Sequence, residues 1–188
     1  MKKLKKVVLV ASEYELPADQ WKFNIPIIYS GIGKINAAYS TFKAINRFAP
    51  DLIINLGSVG SFDIPIGTTL EISDVVERDF NSEPLAARGI VPFDSAPNTL
   101  KSITPGYKCG TGDSFVINKD PWLISNRIDV VDMELFSIAK ICFKLKVNWM
   151  SGKYVSDQIG LNSSFKWQDQ INFCSPNLIN WFEENCLN

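Results

Sequence analysis

Residues 25–61 read IPIIYSGIGKINAAYSTFKAINRFAPDLIINLGSVGS, a strand-like run, a helical run and a second strand-like run. Ile25 to Tyr29 is β-like and stops at Ser30-Gly31-Ile32-Gly33. A helix is expected next, because Ile35, Ala38, Phe42 and Ile45 recur at three- and four-residue spacing and define one apolar face, and Pro50 closes it. Leu52 to Leu56 is a second strand, with an exit, Gly57-Ser58-Val59-Gly60-Ser61, made of small residues. Strand, helix, strand in this order is a βαβ unit and places the chain among α/β folds.

Before this unit, Val7-Val8-Leu9-Val10 is a short unbroken apolar run of the kind buried on both faces of a parallel sheet. Gly67 to Val76 alternates enough for one or two strands, and Asn81 to Pro105 reads as a long loop with at most one short strand. Cys109 to Ile117 is β-like. Ile128 to Val131 is a strand that hands over to a helix from Met133 to about Lys146. The acids of that helix stand at its start and its lysines at its end, matching the helix dipole, and Leu135, Ala139, Cys142 and Phe143 form its buried side. Val147 to Val155 is the last strand and leads into Ser156-Asp157. Ser175-Pro176 is read as the cap and first position of a C-terminal helix holding Leu178, Ile179 and Phe182. Phe42, Phe136, Phe143 and Phe182 are read as core, and Trp21, Trp122 and Trp167 as interface or pocket-lid residues.

Composition limits the function. The 188 residues are 46% hydrophobic and 21% charged, a globular balance sized for a single domain, 1–188. The formal charge of -1 builds no basic field for nucleic acid. No apolar run approaches the ~20 residues of a membrane span. The basic opening before Val7 reads as a leader to a buried strand rather than a signal peptide. Four cysteines without a CxxC pair read as reduced thiols of a cytoplasmic protein. Histidine is absent, which removes His-based triads, His metal sites and imidazole shuttles, so acid–base work falls to carboxylates, Lys, Tyr or Cys.

Five segments put polar or small residues where an apolar strand is expected to end: Ser12 to Glu15, Ser30 to Lys34, Asn55 to Gly60, Asp132 to Glu134, and Ser156-Asp157. In open α/β sheets ligands bind outside the carboxyl ends of the strands, so these segments are candidates for one cleft. Taken singly, each fits a structural role: Gly31-Ile32-Gly33-Lys34 has the spacing of neither a P-loop nor a dinucleotide fingerprint, and Glu15 and Glu134 suit a loop acid and a helix N-terminal acid. A dinucleotide-binding protein is disfavoured, because Ala11-Ser12-Glu13-Tyr14-Glu15 would set two negative charges against a pyrophosphate.

In order along the chain, Ala11 to Glu15, Ser30 to Lys34, Ile53 to Gly60, Gly67 to Asp74, Gly110-Thr111-Gly112-Asp113-Ser114-Phe115-Val116, Val131-Asp132-Met133-Glu134 and Val155-Ser156-Asp157 resemble the purine nucleoside phosphorylase and nucleosidase superfamily. Within it, the methylthioadenosine/S-adenosylhomocysteine nucleosidases are the nearest match. The resemblance spans about residues 7 to 160. It implies a single-domain three-layer α/β/α sandwich around a mixed twisted sheet, and hydrolysis of the N-glycosidic bond of a purine nucleoside. It assigns the water-activating glutamate to Glu15, with Glu13 as the lesser option, and the proton donor to purine N7 to Asp157. Met133 and Glu134, with Asp132 beside them, fall at the ribose. Ser58, Val59 and Gly60 line its sugar side, Phe115 and Val116 stack on and read the base, and Ser156 orients the acid. No metal or organic cofactor is implied, and the expected assembly is a homodimer or larger homo-oligomer.

The departures are a compressed interval from Glu15 to Ser30, Asp132 where the relatives usually have glutamate, Lys153 for a typical arginine, and Val59 for alanine. Phe165 or Trp167, in the loop from Ser163 to Trp167, are candidates for a wall around a 5′-substituent. The alternatives are a phosphorylase, with Arg78 or Arg88 reaching a neighbouring subunit's cleft, and a non-catalytic nucleoside-binding module.

Overall fold

The computed structural model describes residues 4–118, 120–160 and 170–187. β1 (Lys6–Val10) pairs in parallel with β2 (Ile27–Tyr29) on one side and β3 (Leu52–Ser61) on the other, and α1 (Lys34–Phe48) carries the chain from β2 to β3. The expected βαβ unit is therefore present. α1 stops at Ala49, which takes the left-handed conformation (φ 43°) and donates its N–H to Ile45 at 2.9 Å, just before Pro50.

β4 (Thr69–Glu77), β5 (Thr99–Lys101), β6 (Tyr107–Thr111), the short α2 (Pro121–Ser125), β7 (Val130–Asp132), α3 (Leu135–Leu145), β8 (Asn148–Gln158) and α4 (Cys174–Cys186) follow. The sheet is mixed and runs β2-β1-β3-β7-β6-β4-β5, with β8 joining β3 in parallel and β4 antiparallel. These pairings close a circuit, β3-β7-β6-β4-β8, that leaves no free edge among its five members.

Strand alternation sends neighbouring side chains to different cores. Val7, Leu9, Ile53 and Val59 join Ala37 and Ala44 of α1 and Leu135, Ile138, Ala139 and Cys142 of α3. Val8, Val10, Ile54 and Leu56 join Leu178, Trp181, Phe182 and Cys186 of α4. Trp21 and Phe23 close the second core edge-on against one another at 4.7 Å, with Phe182 within 4.9 Å of both rings.

Several expectations need correction. The stretch Gly57 to Ser61 is not a strand exit: β3 continues through it, because β8 pairs along its whole length and β7 meets its end. Ser156 and Asp157 likewise lie inside β8. The buried face of α1 is Ala37, Thr41 and Ala44, small residues that admit α3, while Ile35 and Phe42 are 83% and 49% exposed. Phe143 is also exposed, whereas Phe136 and Phe182 are core. Ser175 sits within α4 and donates to Gln20 at 2.5 Å instead of capping the helix. Trp21 and Trp122 pack within the chain. All four cysteines are free and buried, and no described helix is long and apolar enough to cross a membrane.

Candidate active site

β3 and β8 build the site between them. Across this parallel pair Gly57 faces Lys153 and Val59 faces Val155, but Gly60 faces Asp157, so Ser156 is an extra residue that bulges out of register. A bulge locally re-aims side chains, and here it falls on the Ser-Asp pair singled out in the sequence. The glycines opposite make room. A Cβ at Gly60 would lie 3.0 Å from Asp157 Oδ2, and one at Gly57 would lie 3.2 Å from Glu15 Oε1 and 3.5 Å from Lys153 Nζ.

A cavity of ≈ 200 Å³ opens at this place, and every sequence-assigned site residue lines it: Glu15, Ser58, Val59, Gly60, Phe115, Val116, Asp132, Met133, Glu134, Ser156 and Asp157. Glu15 is buried while Glu13 is exposed. Glu15 Oε1 accepts from both the backbone N–H and the hydroxyl of Ser58, each at 2.7 Å. Its other oxygen, Oε2, is buried and has no hydrogen-bond partner among the described residues. A carboxyl oxygen in that state has its hydrogen-bonding capacity open to a water or a hydroxyl. Asp157 Oδ1 accepts from the Ser156 hydroxyl at 2.9 Å. Burial raises the Asp157 pKa, with the Ser156 hydrogen bond opposing part of the rise.

Lys153 and Asp132 form a fully buried ion pair, Nζ to Oδ2 at 3.0 Å. Asp132 is further held by Thr111 Oγ1 at 2.5 Å and the Leu135 N–H at 2.9 Å, so both of its oxygens are occupied. Burial pushes the Asp132 pKa up, but the Lys153 ammonium and these hydrogen bonds outweigh it and hold it below the ordinary value. Burial favours a neutral Lys153, and Asp132, Glu134, Cys109 and Glu15 reverse that and raise its pKa. Removing either partner would strand a charge in the interior. Glu134 Oε1 accepts from the Gly33 N–H at 2.8 Å, which ties the Gly-Ile-Gly turn to the site. Its pKa is pushed up to about 8, first by burial and then by repulsion from Asp132 and Glu15, with Lys153 and Gly33 opposing.

The Glu134 shift has a measurable sign. Its native carboxyl keeps a proton that the unfolded chain, titrating near 4.5, has already lost. Between pH 4.5 and 8 the folded state binds more protons, so this group's contribution to stability declines as pH rises and levels off above 8. Glu134→Gln, which cannot ionise, is expected to gain stability relative to the parent chain steadily from pH 5 to 8 and no further beyond. Urea unfolding at four pH values measures this, and a difference independent of pH would contradict it.

Sequence reasoning missed three contributors. Lys153 was visible only as a replacement, although a lysine within an apolar strand is itself a sign of a buried partner. Thr111 and Gly33 had no local signal for their contacts. Arg78 lines this chain's own cavity, with its guanidinium spent on the carbonyls of Gly110, Gly112 and Ser114. Arg88 is likewise engaged within the chain, paired with Asp120 at 2.5 Å. Phe165 and Trp167 lie outside the described residues.

Comparison with known proteins agrees with this geometry. The Phosphorylase superfamily matches residues 22–102. A 5′-methylthioadenosine/S-adenosylhomocysteine nucleosidase from Staphylococcus haemolyticus is 34% identical over 155 residues, covering 71% of this chain and 68% of the relative. One from Bacillus thuringiensis is 30% identical over 183 residues, covering 81% and 78%. Among solved structures, the nucleosidase of the same name from Colwellia psychrerythraea 34H, in complex with adenine, superposes with a TM-score of 0.81 at 22% identity, over 95% of this chain and 92% of that one. The mixed sheet and its helices thus have the nucleoside phosphorylase-like α/β fold, and the chain belongs to the 5′-methylthioadenosine/S-adenosylhomocysteine nucleosidases of the phosphorylase superfamily, a family of N-glycosyl hydrolases.

Proposed function

We propose that this chain hydrolyses the N-glycosidic bond of a purine nucleoside of the methylthioadenosine/S-adenosylhomocysteine type, with Glu15 activating the water and Asp157 protonating the departing base. The observation that carries the reading is the buried Oε2 of Glu15, unpartnered among the described residues, in the same cavity as Asp157. Cleaving a glycosidic C–N bond develops positive charge on the ribose and negative charge on the leaving base. Glu15 and Asp132 supply negative potential for the sugar, and Glu134, which keeps its proton up to about pH 8, holds the hydroxyls with Met133. Ser58, Val59 and Gly60 form the sugar-side wall. Phe115 and Val116 pack against the base. Asp157, with its raised pKa, keeps a proton for the base, and Ser156 holds its orientation.

Water is favoured over phosphate on two grounds. The carboxylates of Glu15 and Asp132 line the cavity, which is unfavourable for a dianion, and the Arg78 guanidinium is already committed to backbone carbonyls. The reading places the whole chain, 1–188, in one three-layer α/β/α domain that works in the cytoplasm. It also makes the chain a homodimer or larger homo-oligomer: Ile32, Ile35, Tyr39 and Phe42 lie at the start of α1 and along it, 49–83% exposed, and Ile32 borders the cavity.

The test is product analysis with methylthioadenosine, S-adenosylhomocysteine, adenosine, inosine and futalosine, with and without phosphate. Free base and free sugar without phosphate is the expected result. Phosphate-dependent release with a ribose 1-phosphate product would replace the reading with phosphorolysis, and nucleoside binding without release would replace it with a non-catalytic module.

A further inference from the structure

The segment from Gly110 to Asp120 leaves β6, carries Phe115 and Val116 past the cavity, and enters α2. Its start hangs on one buried cation. Arg78 donates from Nε to Gly110 O at 3.2 Å, from Nη2 to Gly112 O at 3.1 Å and to Ser114 O, and from Nη1 to the Ser114 hydroxyl at 3.3 Å. Its end hangs on a second arginine. Asp120 caps α2 by accepting the Trp122 N–H on Oδ1 at 2.8 Å, and its Oδ2 accepts from Arg88 Nη1 at 2.5 Å.

Arg88 also donates from Nε to the carbonyl of Arg78 at 2.7 Å, and its guanidinium lies 5.0 Å from the Trp122 ring centre. The two arginines are thus coupled through the Arg78 peptide. The loop bearing Arg88 lies flush on the same indole: at Gly89, φ 84°, a Cβ would fall 2.5 Å from the Trp122 ring. Val116 and Trp122 both pack against one small core of Val76, Leu123, Ile128 and Val131, so the indole and the cavity wall share the same support.

We infer that Arg88 is a positioning residue for nucleoside binding: by clamping the Arg78 peptide and Asp120 together, it holds the Phe115–Val116 wall in shape without itself lining the cavity. The inference rests on the proposed reading of that wall as the base-facing one. Phe115 is 53% exposed, and residues 112–118 belong to no helix or strand. Its order therefore depends on the anchors at its two ends. Without the clamp, binding must order the wall as well as fill the cavity, and that cost appears in affinity. Glu15, Asp157 and Lys153 are held by other elements, so the chemical step is left in place.

The test is steady-state kinetics of Arg88→Ala, with adenine inhibition measured beside it. KM and the adenine inhibition constant are expected to rise together by about three- to thirty-fold, with kcat within about two-fold. Arg88→Lys retains the charge but not the fork that bridges Asp120 and the Arg78 carbonyl, and should fall between. Asp120→Asn keeps an acceptor for the Trp122 N–H while removing the ion pair. It should move KM in the same direction, and combining it with Arg88→Ala should add little. If Arg88→Ala does not fold, Asp120→Asn decides. Unchanged KM in Asp120→Asn and in any folded Arg88→Ala, or a fall in kcat at constant KM, would overturn the inference. Turnover by the parent chain separates the two claims: its absence strikes the proposed function and leaves the clamp to be decided by the adenine dissociation constant from calorimetry, where no weakening in the variants overturns it, while turnover with unchanged KM in the variants strikes only the clamp.

Discussion

Asp157→Asn is expected to lower kcat by about 10²–10⁴-fold, the usual contribution of a positioned general acid, with KM nearly unchanged. Asparagine is close in size and can still accept from Ser156, so the bulge at Ser156 and the packing against Gly60 persist. What it lacks is a transferable proton. Burial raises the Asp157 pKa, so the acid form reaches further toward neutral pH than an exposed aspartic acid would, and activity of the parent chain should fall as pH rises through that pKa. The variant should lose this alkaline limb as well as its rate. A variant that keeps both the rate and the limb would show that another group delivers the proton.

Glu15→Gln is expected to be as damaging, also about 10²–10⁴-fold in kcat, for a different reason. The two Ser58 donors fix one carboxylate oxygen as an acceptor, so the amide of glutamine must turn its oxygen to Ser58 and leave its NH2 in the place of Oε2. A donor then stands where the water requires a proton acceptor. The fold should tolerate the change, because the Ser58 contacts survive. Adenine should still bind, so a retained inhibition constant beside a lost kcat is the signature to look for. Loss of adenine binding together with kcat would instead mean that Glu15 shapes the cavity rather than the chemistry.

Much of this site is legible in the amino-acid sequence, and the reason is physical. Val7 to Val10 is apolar at every position because both faces of β1 are covered, one by α1 and α3 and the other by α4. The residues that carry chemistry stand in short ordered segments, and those converge at the ends of β1 and β7 and within β3 and β8. The misreadings arise where tertiary pairing overrides local preference. Gly57 and Gly60 suggest the exit of a strand, yet in the fold they are strand residues whose missing side chains admit Glu15, Lys153 and Asp157. Periodicity in α1 finds an apolar stripe but not what covers it: the stripe of Ile35 and Phe42 is exposed, and the face against α3 is made of Ala37, Thr41 and Ala44. Arg78, Thr111 and Gly33 act through backbone or over long sequence separations, so nothing near them in the sequence marks their partners.

The most direct test of the account is hydrolysis of methylthioadenosine in ¹⁸O-labelled water without phosphate, followed by mass analysis of the sugar. Free adenine together with a methylthioribose carrying one heavy oxygen is the predicted result, since water activated at Glu15 attacks the anomeric carbon. Adenine release that requires phosphate, with the sugar recovered as its unlabelled 1-phosphate, would contradict it.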